Sequence, residues 1–496
     1  MKLSNKTIYA YFQENCQKYP QKTAFLNEEE SYTWQESFRM YSYLIQKFKN
    51  CGIGKGKTVT IATPRHLDSP FVIFAAVATQ AYIMLCDSNR EIGDFLKNCA
   101  ATIAPDYVIR RNLFGKWILE SKDGQLLSFD KRDGLDFTEM VTAPLTCDEK
   151  EGSYIFFTSG STGKSKAALV TQYALLNNLK FMAHCTGCDE NDKTLLVAPL
   201  SHVLGLGMFH EVVIMGTTCC IPLSREPAHI LDVIEQYRCT RTVNVSTYFY
   251  LLIDEQNKRP RDISSLRKGL IGGGSCSKQQ FQYIVNALDM DMLCPVYGMT
   301  ESSGVLTYMP YTESLERRST YLGKPSPYID WALKDFNGNR IDALHRDGEF
   351  CVKGNMLMLG YVSENGDLSM PVDEEGYFHT GDMVYIDEEG FLYIVGRCKD
   401  IIIRGGENIS PLPIKNKISE IKGVIDVCVV GVPSEKYGEE VGACVQAEGV
   451  TEEEITNYLK EFLHKHELPS RYVFVDKIPL LGVGKPDKKR ILELFL

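Results

Sequence analysis

Residues 158–166, Thr-Ser-Gly-Ser-Thr-Gly-Lys-Ser-Lys, have the composition of a loop that wraps phosphate groups. The glycines let the backbone approach an anion closely, the hydroxyl groups donate hydrogen bonds, and Lys164 or Lys166 supplies positive charge. The Walker A pattern requires a glycine five residues before Gly163, and this chain has Thr158 there. We therefore predict a phosphate loop different from that of the P-loop NTPases. A flexible surface turn is the alternative if the segment is considered alone.

Four further motifs follow in order along the chain. They are Tyr-Gly-Met-Thr-Glu-Ser at 297–302, Tyr-Phe-His-Thr-Gly-Asp at 377–382, a segment beginning Gly-Arg-Cys-Lys-Asp at 396–408, and Ile-Pro-Leu-Leu-Gly-Val-Gly-Lys at 478–485. With the phosphate loop, this set resembles the adenylate-forming superfamily, which includes acyl- and aryl-CoA synthetases, adenylation domains of peptide synthetases and firefly luciferase. The resemblance extends from Tyr32 to Lys485, and its pattern is closest to the acyl- or aryl-CoA ligases.

The resemblance implies a ligase reaction in two steps. A carboxylic acid, aryl or medium-chain acyl, reacts with ATP to give an acyl-adenylate and pyrophosphate, and a thiol, foremost that of CoA, then displaces AMP. Because both reactants of the first step are anions, the site must neutralise charge and hold them in line. The ATP-binding residues that the resemblance implies are Thr158, Ser159, Gly160, Ser161, Thr162, Gly163, Lys166, Tyr297, Asp382 and Arg397.

Several of these positions have distinct implied roles. Glu301 is the expected metal ligand, since Mg²⁺ prefers carboxylate, phosphate oxygen and water. Thr300 beside it can bond the α-phosphate, and Tyr297 offers a face on which adenine can stack. Asp382 is expected to accept hydrogen bonds from both ribose hydroxyls, and Arg397 can reach the same ribose.

The C-terminal motif contributes a lysine to the first step only. Lys485 lies in a glycine-rich turn that can deliver an ammonium group to the carboxylate and the α-phosphate. The resemblance further implies that rotation at a hinge, Asp400, removes this lysine and brings Gly405 and Gly406 to the site for the thiol step. The implied catalytic residues are Lys485, Thr300, Glu301 and His202.

The acyl pocket is expected where amino-acid-activating relatives carry an aspartate for the α-ammonium group. Residues 199–205 read Pro-Leu-Ser-His-Val-Leu-Gly instead, so we expect His202 to contact the acyl group; a buried, hydrogen-bonded histidine is the alternative. Three consecutive glycines at 272–274 would leave room for a ring or a medium chain. The expected pocket residues are His202, Val203, Ser246, Thr247, Gly272, Gly273, Gly274 and Gly298.

The chain departs from the family pattern at four positions. Ser165 replaces a usual proline and Ala167 a usual glycine, while Pro413 and Lys415 stand in a segment that normally carries acidic residues. We do not expect the first two to abolish phosphate binding. The residues Pro413 and Lys415 leave the identity of the acceptor in the thiol step open. Near the C-terminus, Lys488 and Lys489 are expected to be solvated charges.

Two other functions remain open from the sequence. The first is a stand-alone adenylating enzyme that loads the phosphopantetheine of a separate carrier protein. The second is a catalytically degenerate ligand-binding protein, although Glu301, Asp382, Arg397 and Lys485 are all present. The sequence identifies neither the acid nor the oligomeric state.

Composition restricts the partners and the location. The net charge of −10 disfavours nucleic acid, and the two longest apolar stretches carry polar residues that argue against integral membrane association. The 16 cysteines are scattered without zinc-ligand spacing, so we expect reduced thiols and a cytoplasmic protein.

The elements that must position these residues alternate between strands and helices over most of the chain. Apolar runs such as 58–62, 154–157 and 194–198 are predicted strands, and a helix is predicted for 167–180 from its Ala and Leu content. This pattern predicts an α/β fold with mainly parallel sheets covered by helices. Short β segments follow residue 348, and a strand at 424–432, a helix at 452–466 and a strand at 472–475 predict an α+β end. We expect an N-terminal domain at 1–399, with the ATP and carboxylate sites, and a mobile C-terminal domain at 400–496.

Overall fold

The computed structural model describes the chain except for residues 63–65, 88–90, 101–102, 113–114, 140, 160–164, 275 and 481–485. It also omits the side chains of residues 98–100, 131–132 and 159. The helices of the described part are α1 Ile8–Lys18, α2 Trp34–Asn50, α3 Ser69–Ala78, α4 Ile92–Ala100, α5 Gln172–Cys185, α6 Val203–Met215, α7 Pro227–Tyr237, α8 Ser246–Lys258, α9 Lys278–Leu288, α10 Leu315–Thr320, α11 Pro411–Ser419, α12 Glu452–Leu459 and α13 Lys488–Glu493. Short 3₁₀ segments occupy Lys131–Gly134, Thr300–Ser302 and Cys398–Asp400.

The strands alternate with these helices through most of the chain and become consecutive after residue 320. They are β1 Thr23–Leu26, β2 Ser31–Thr33, β3 Thr58–Ala62, β4 Tyr82–Cys86, β5 Tyr107–Arg111, β6 Trp117–Ser121, β7 Gly124–Phe129, β8 Gly152–Ser159, β9 Ser165–Thr171, β10 Lys193–Leu195, β11 Thr218–Cys220, β12 Arg241–Asn244, β13 Lys268–Ile271, β14 Met292–Pro295, β15 Thr307–Tyr308, β16 Lys324–Pro325, β17 Asp330–Lys334, β18 Arg340–Ile341, β19 Gly348–Lys353, β20 Gly360–Val362, β21 Leu368–Ser369, β22 Phe378–Ile386, β23 Leu392–Arg397, β24 Ile402–Arg404, β25 Glu407–Ile409, β26 Val424–Ser434, β27 Gly438–Ala447 and β28 Arg471–Phe474.

These elements form two compact units. The larger unit comprises Met1–Asp330 with Lys353–Gly376, and the smaller comprises Trp331–Val352 with Tyr377–Leu496. The predicted domain boundary at residues 399 and 400 stays a prediction. None of the helices in the described part of the chain combines the length and apolarity that crossing a membrane requires.

Two large sheets organise the larger unit. A seven-stranded sheet has the order β14-β13-β12-β10-β11-β1-β2 and is parallel except at the β1–β2 pair. A nine-stranded sheet, β21-β20-β9-β8-β4-β3-β5-β6-β7, has a parallel centre from β8 to β5 and antiparallel strands on both sides. The α/β class predicted from the alternation is confirmed, and the antiparallel flanks make the second sheet mixed.

The smaller unit is built on two five-stranded sheets. One has the order β18-β17-β19-β22-β23; the other has the order β25-β24-β27-β26, with β28 paired to β27. The strand at 424–432 is confirmed within β26, but the helix predicted for 452–466 ends at Leu459. The chain turns there, which lets Leu463 and Leu468 pack against the apolar core of this sheet.

The helix predicted for 167–180 is wrong in its first five residues. Ala167 to Thr171 belong to β9, which pairs with β8 on one side and β20 on the other. Helix α5 begins at Gln172, and Thr171 caps it by accepting a hydrogen bond from the Ala174 amide. Alanine favours helix in isolation, but burial between two partner strands satisfies this backbone in extended form.

A buried ion pair holds α6 against β12. Arg241 is fully buried, Glu211 is 3% exposed, and Arg241 Nη2 lies 2.9 Å from Glu211 Oε1. Within the described residues the guanidinium nitrogens have no aligned hydrogen-bond partner. The attraction of Glu211, with that of nearby Asp192, therefore has to offset the desolvation of Arg241.

We expect Glu211→Gln to destabilise the larger unit by about 3–5 kcal/mol, because it leaves a buried guanidinium without its closest countercharge. The measurement is urea unfolding followed by the fluorescence of Trp34 and Trp117, which are both buried in this unit. Asp262→Asn is the matched control, since it breaks an exposed ion pair with Arg238 and is expected to leave the midpoint unchanged. Equal midpoints for both variants would contradict a structural role for the buried pair.

Candidate active site

The predicted phosphate loop lies at the end of a β-hairpin in the larger unit. Strands β8 and β9 pair antiparallel up to Thr158 opposite Lys166 and Ser159 opposite Ser165. The loop itself, with Gly160, Ser161, Thr162 and Gly163, lies outside the described residues, as does the side chain of Ser159. The hairpin therefore fixes both ends of the loop at adjacent positions.

Glu301 lies in a tight turn after β14, inside the 3₁₀ segment Thr300–Ser302. Asn178 on α5 donates through Nδ2 to the Ser302 carbonyl at 3.0 Å, and the Met358 amide donates to the Glu301 carbonyl at 2.8 Å. The Glu301 residue is only 7% exposed. These contacts hold a carboxylate rigidly at a largely buried position.

Tyr361 on β20 connects this carboxylate to the hairpin. Its hydroxyl donates to Glu301 Oε1 at 2.6 Å and also contacts the Thr158 side chain. Lys166 Nζ lies 4.9 Å from the centre of the Tyr361 ring, within the range of a cation–π contact. Three residues predicted separately from sequence, Thr158, Lys166 and Glu301, thus converge on one tyrosine.

Burial, together with the hydrogen bond to Glu301, raises the pKa of the Tyr361 hydroxyl. Tyr361 therefore stays protonated at neutral pH and acts as a donor to the carboxylate. The sequence reasoning missed this residue. Its signal was weak, since Gly360-Tyr361-Val362 is a short strand with no polar pattern around it.

Backbone topology gathers the predicted acyl-pocket segments. Strands β12, β13 and β14 are parallel neighbours, so the residues that follow their carboxyl ends share one edge of the sheet. Ser246 and Thr247 follow β12, the three glycines follow β13, and Gly298 follows β14. This edge is where open α/β sheets generally bind ligands.

Contacts at this edge also include the start of α6. A Cβ placed on Gly273 would lie 3.2 Å from Val245 Cγ1 and 4.0 Å from Leu204 Cδ2. Likewise, a Cβ on Gly304 would lie 3.1 Å from Val203 Cγ2. The segments predicted to form pocket walls are therefore neighbours in the larger unit.

The glycines of this region differ in how much space surrounds the position of a Cβ atom. A Cβ on Gly272 would meet Val296 Cγ1 at 2.4 Å, and one on Gly298 would meet the Gly304 carbonyl oxygen at 2.3 Å. These two glycines are needed for close packing of the protein itself. Gly274 has nothing within 4 Å of a Cβ, so open space is found there among the described atoms.

His202 occupies the N-cap of α6 and is exposed. The alternative of a buried histidine is therefore excluded. Its backbone carbonyl accepts from the Leu206 amide at 3.0 Å, while its side chain makes no capping hydrogen bond. The imidazole is thus not required to start the helix, which leaves it available to a ligand.

The predicted ribose-binding pair lies in the smaller unit. Asp382 on β22 and Arg397 on β23 are register partners, and Asp382 Oδ1 lies 2.9 Å from Arg397 Nη1. The Asp382 side chain is 8% exposed and that of Arg397 is 46% exposed. Just before Asp382, β22 bulges away from regular pairing with β19; Thr380 donates there to the Phe350 carbonyl at 2.7 Å, and Gly381 adopts φ +74°.

The predicted hinge and thiolation residues also belong to the smaller unit. Asp400 ends the segment Cys398–Asp400 and forms an ion pair with Lys488 Nζ at 2.7 Å. Lys488, predicted to be a solvated charge, is exposed, and its ammonium group also pairs with this carboxylate. Gly405 and Gly406 form the two-residue turn of the β24–β25 hairpin with φ +60° and +92°. Lys485 lies outside the described residues.

The four departures from the family pattern fall on ordered elements. Ala167 is 1% exposed and packs in β9 with Met84, Ile155 and Leu169, so its methyl group belongs to an apolar cluster. Ser165 begins β9 at the hairpin end.

The other two departures, Pro413 and Lys415, lie within α11, which begins at Pro411. The helix tolerates proline in its first turn because the amides there have no partner within the helix.

Comparison with known proteins agrees with this geometry. A model of the family described as AMP-binding enzyme matches residues 12–362, and one described as AMP-binding enzyme C-terminal domain matches residues 414–485. The putative acyl-CoA synthetase YngI of Bacillus subtilis is 27% identical over 99% of this chain and 97% of its own length. FadD8 of Mycobacterium tuberculosis, a medium/long-chain-fatty-acid–CoA ligase, is 32% identical over 72% of this chain, and the match spans 63% of FadD8.

Among solved structures, ATP-bound MatB from Rhodopseudomonas palustris superimposes with a TM-score of 0.81. The two chains are 21% identical, and the superposition covers 98% of this chain and 99% of MatB. At this identity the match shows a common fold.

We expect Tyr361→Phe and Glu301→Leu to be strongly coupled in stability. A hydrogen bond to a charged group contributes about 1.5–3 kcal/mol, and either substitution removes the bond between the Tyr361 hydroxyl and the Glu301 carboxylate. A double-mutant cycle measured by urea unfolding of the larger unit should therefore give an interaction energy of that size.

The matched cycle replaces Tyr361→Phe with Tyr283→Phe, which removes the hydroxyl of an exposed tyrosine on α9. That cycle is expected to be additive within about 0.5 kcal/mol. Additivity in the Tyr361 cycle as well would show that the carboxylate does not depend on this hydroxyl.

Proposed function

The chain belongs to the family of AMP-binding enzymes, and on that premise we propose that it is an AMP-forming acyl-CoA synthetase. It activates a carboxylic acid with ATP, releases pyrophosphate, and passes the acyl group from the adenylate to the thiol of CoA. The observation that carries this proposal is the convergence of Thr158, Lys166 and Glu301 on Tyr361 at the phosphate-loop hairpin.

The first step needs charge neutralisation between a carboxylate and a triphosphate. Lys166 supplies a positive charge near the hairpin end, and the loop hydroxyls and amides supply neutral donors. For Mg²⁺, the fit rests on Glu301, whose Oε1 is bonded to Tyr361 while Oε2 has no hydrogen bond among the described residues. Such a carboxylate would hold the ion, which in turn would neutralise phosphate charge.

The nucleotide's sugar and the remaining catalytic group are assigned to the smaller unit. Asp382, oriented by its ion pair with Arg397, accepts hydrogen bonds from the ribose hydroxyls. Lys485 delivers its ammonium group to the α-phosphate and carboxylate during adenylation. Rotation about Asp400 then exchanges this lysine for the turn formed by Gly405 and Gly406, which admits the thiol.

The acid is proposed to be aryl or medium-chain acyl. The sheet edge that carries residues 203–206, 245–247 and 272–274 contains apolar side chains and open space at Gly274 but no carboxylate. An α-ammonium group would be buried there without a partner, at a cost of several kcal/mol. The similarity to FadD8, which is named a medium/long-chain-fatty-acid–CoA ligase, supports the acyl-chain part of this class.

CoA is proposed as the thiol, and the phosphopantetheine of a separate carrier protein is the second candidate. The positions of Pro413 and Lys415 on α11, where acidic residues are usual, leave the surface for a carrier protein unassigned. The cytoplasmic location predicted from the cysteine content stays a prediction.

Pyrophosphate release measured with benzoate, butyrate, octanoate, palmitate and phenylalanine tests the substrate class. We expect benzoate or octanoate to be best, phenylalanine to be poor, and related acids to differ modestly, by about 1–3 kcal/mol per methylene. Addition of CoA should produce the matching thioester, detected by mass spectrometry, and holo-carrier protein should not replace it. Activity confined to the amino acid would overturn this assignment of the pocket.

His202→Ala should alter the order of preferred acids in that panel more than it alters the ATP requirement, because the imidazole lies beside the pocket segments. The matched control is His184→Ala, which removes an exposed histidine from α5. An unchanged order of acids in the His202 variant, or an equal change in both variants, would remove His202 from the pocket.

Lys485→Ala should abolish adenylate formation and spare thioester formation from a supplied acyl-adenylate, because this lysine serves the first step alone. Lys489→Ala, an exposed lysine on α13, is the matched control and should leave both half-reactions intact. Equal loss of both half-reactions in Lys485→Ala would contradict the assigned role.

A further inference from the structure

A thiol, an imidazole and a carboxylate meet on one sheet of the smaller unit. Cys351 on β19 and His379 on β22 are register partners, and Glu349 precedes Cys351 by two residues where the register shifts. The Cys351 thiol, one oxygen of Glu349 and a ring nitrogen of His379 all lie within 4.8 Å of one another. In the described part of the chain this is the one cluster of at least three such groups close enough to share a metal ion.

The distances match a compact tetrahedral site. Cys351 Sγ lies 3.5 Å from His379 Nδ1. A Zn²⁺ ion with a sulfur ligand at about 2.3 Å and a nitrogen ligand at about 2.0–2.1 Å separates those two atoms by about 3.5 Å. The thiol and imidazole are therefore already spaced as ligands of one ion.

The carboxylate is held by two contacts, and one of them can be exchanged for a metal. Glu349 Oε2 lies 2.7 Å from His379 Nδ1, while Oε1 accepts from the Gly381 amide at 2.9 Å. Tetrahedral ligands separated by an ion would place the nitrogen and oxygen about 3.3 Å apart. To admit the ion, Glu349 Oε2 must move away from His379 Nδ1 by the difference between these two distances, and Oε1 can keep its hydrogen bond to the Gly381 amide during that movement.

We propose that Glu349, Cys351 and His379 form a site for a divalent transition-metal ion of the zinc class. Thiolate and imidazole ligands select such ions over Mg²⁺, which prefers oxygen ligands alone. Binding releases one proton to solvent, because the Cys351 S–H bond breaks as the S–Zn bond forms, while the neutral imidazole of His379 binds through Nδ1 with its own proton on Nε2. The ion carries no redox change.

Two of the three proposed ligands are partly exposed to solvent, so an ion can reach the site. Cys351 is fully buried, but the side chains of His379 and Glu349 are 39% and 19% exposed. Three protein ligands leave a fourth position for water. Because Glu349 keeps its hydrogen bond to the Gly381 amide, the bound ion would stabilise the bulged segment of β22 that precedes Asp382. The proposal stands independently of the proposed function.

The test is direct binding of Zn²⁺ to the full-length protein, by calorimetry and by metal analysis after gel filtration. We expect the wild type to bind one equivalent of Zn²⁺ at this site. In Cys351→Ser and His379→Asn the affinity of the site for Zn²⁺ should fall more than about tenfold, because loss of an outer-shell partner alone typically lowers metal affinity by about 10–100-fold. Glu349→Gln, which keeps an acceptor for the Gly381 amide, should weaken binding without unfolding the turn.

Cys51→Ser, which removes a partly exposed thiol of the larger unit, is the control and should bind as the wild type does. Cobalt provides a second measurement that does not require Cys351→Ser to fold. The Co²⁺-loaded wild type should show a thiolate-to-cobalt charge-transfer band that His379→Asn loses. Equal zinc stoichiometry and affinity in folded His379→Asn and wild type, or absence of the cobalt–thiolate band in the wild type, would overturn the proposal.

Discussion

The hydrogen bond between Tyr361 and Glu301 ties the candidate site of the larger unit to both of its sheets. Tyr361 stands on a strand of the nine-stranded sheet, and Glu301 follows the last strand of the seven-stranded sheet. The Met358 amide and Asn178 add backbone contacts to the same turn. The Glu301 carboxylate is therefore positioned by the packing of two sheets, so its place cannot shift without disturbing both.

The smaller unit uses a similar principle with different groups. Glu349 contacts both His379 and the Gly381 amide, and Thr380 donates to the Phe350 carbonyl, so β19 fixes the bulged segment of β22 before Asp382 at three points. Asp382 then pairs with Arg397 on the next strand. Each unit thus presents its polar groups in a fixed orientation, which lowers the reorganisation that a charged ligand would require.

The sequence motifs identified residues that lie together in the structure, such as Thr158, Lys166 and Glu301, but local patterns misplaced some element boundaries. Motif residues such as Glu301 and Asp382 were found because their neighbours recur in a fixed order. The start of α5 was misplaced because Ala167 and Ala168 favour helix locally, whereas pairing with β8 and β20 is a long-range effect that local propensity does not contain. The capping residue Thr171 was the one local signal for the true helix start. The contacts of Tyr361 and of the Cys351–His379 pair could not be predicted for the same reason, because they depend on which strands pair and in which register.

The closed end of the β8–β9 hairpin has an evolutionary consequence. Ser159 and Ser165 are register partners, so the pairing of β8 with β9 is defined up to both ends of the predicted phosphate loop. Closure entropy grows slowly with length, and doubling such a loop costs only about 0.6 kcal/mol. Substitutions or insertions in this segment can therefore accumulate without loss of the sheet. The predicted phosphate loop is therefore a segment whose sequence can diverge toward other anionic ligands while the pairing of β8 with β9 is kept.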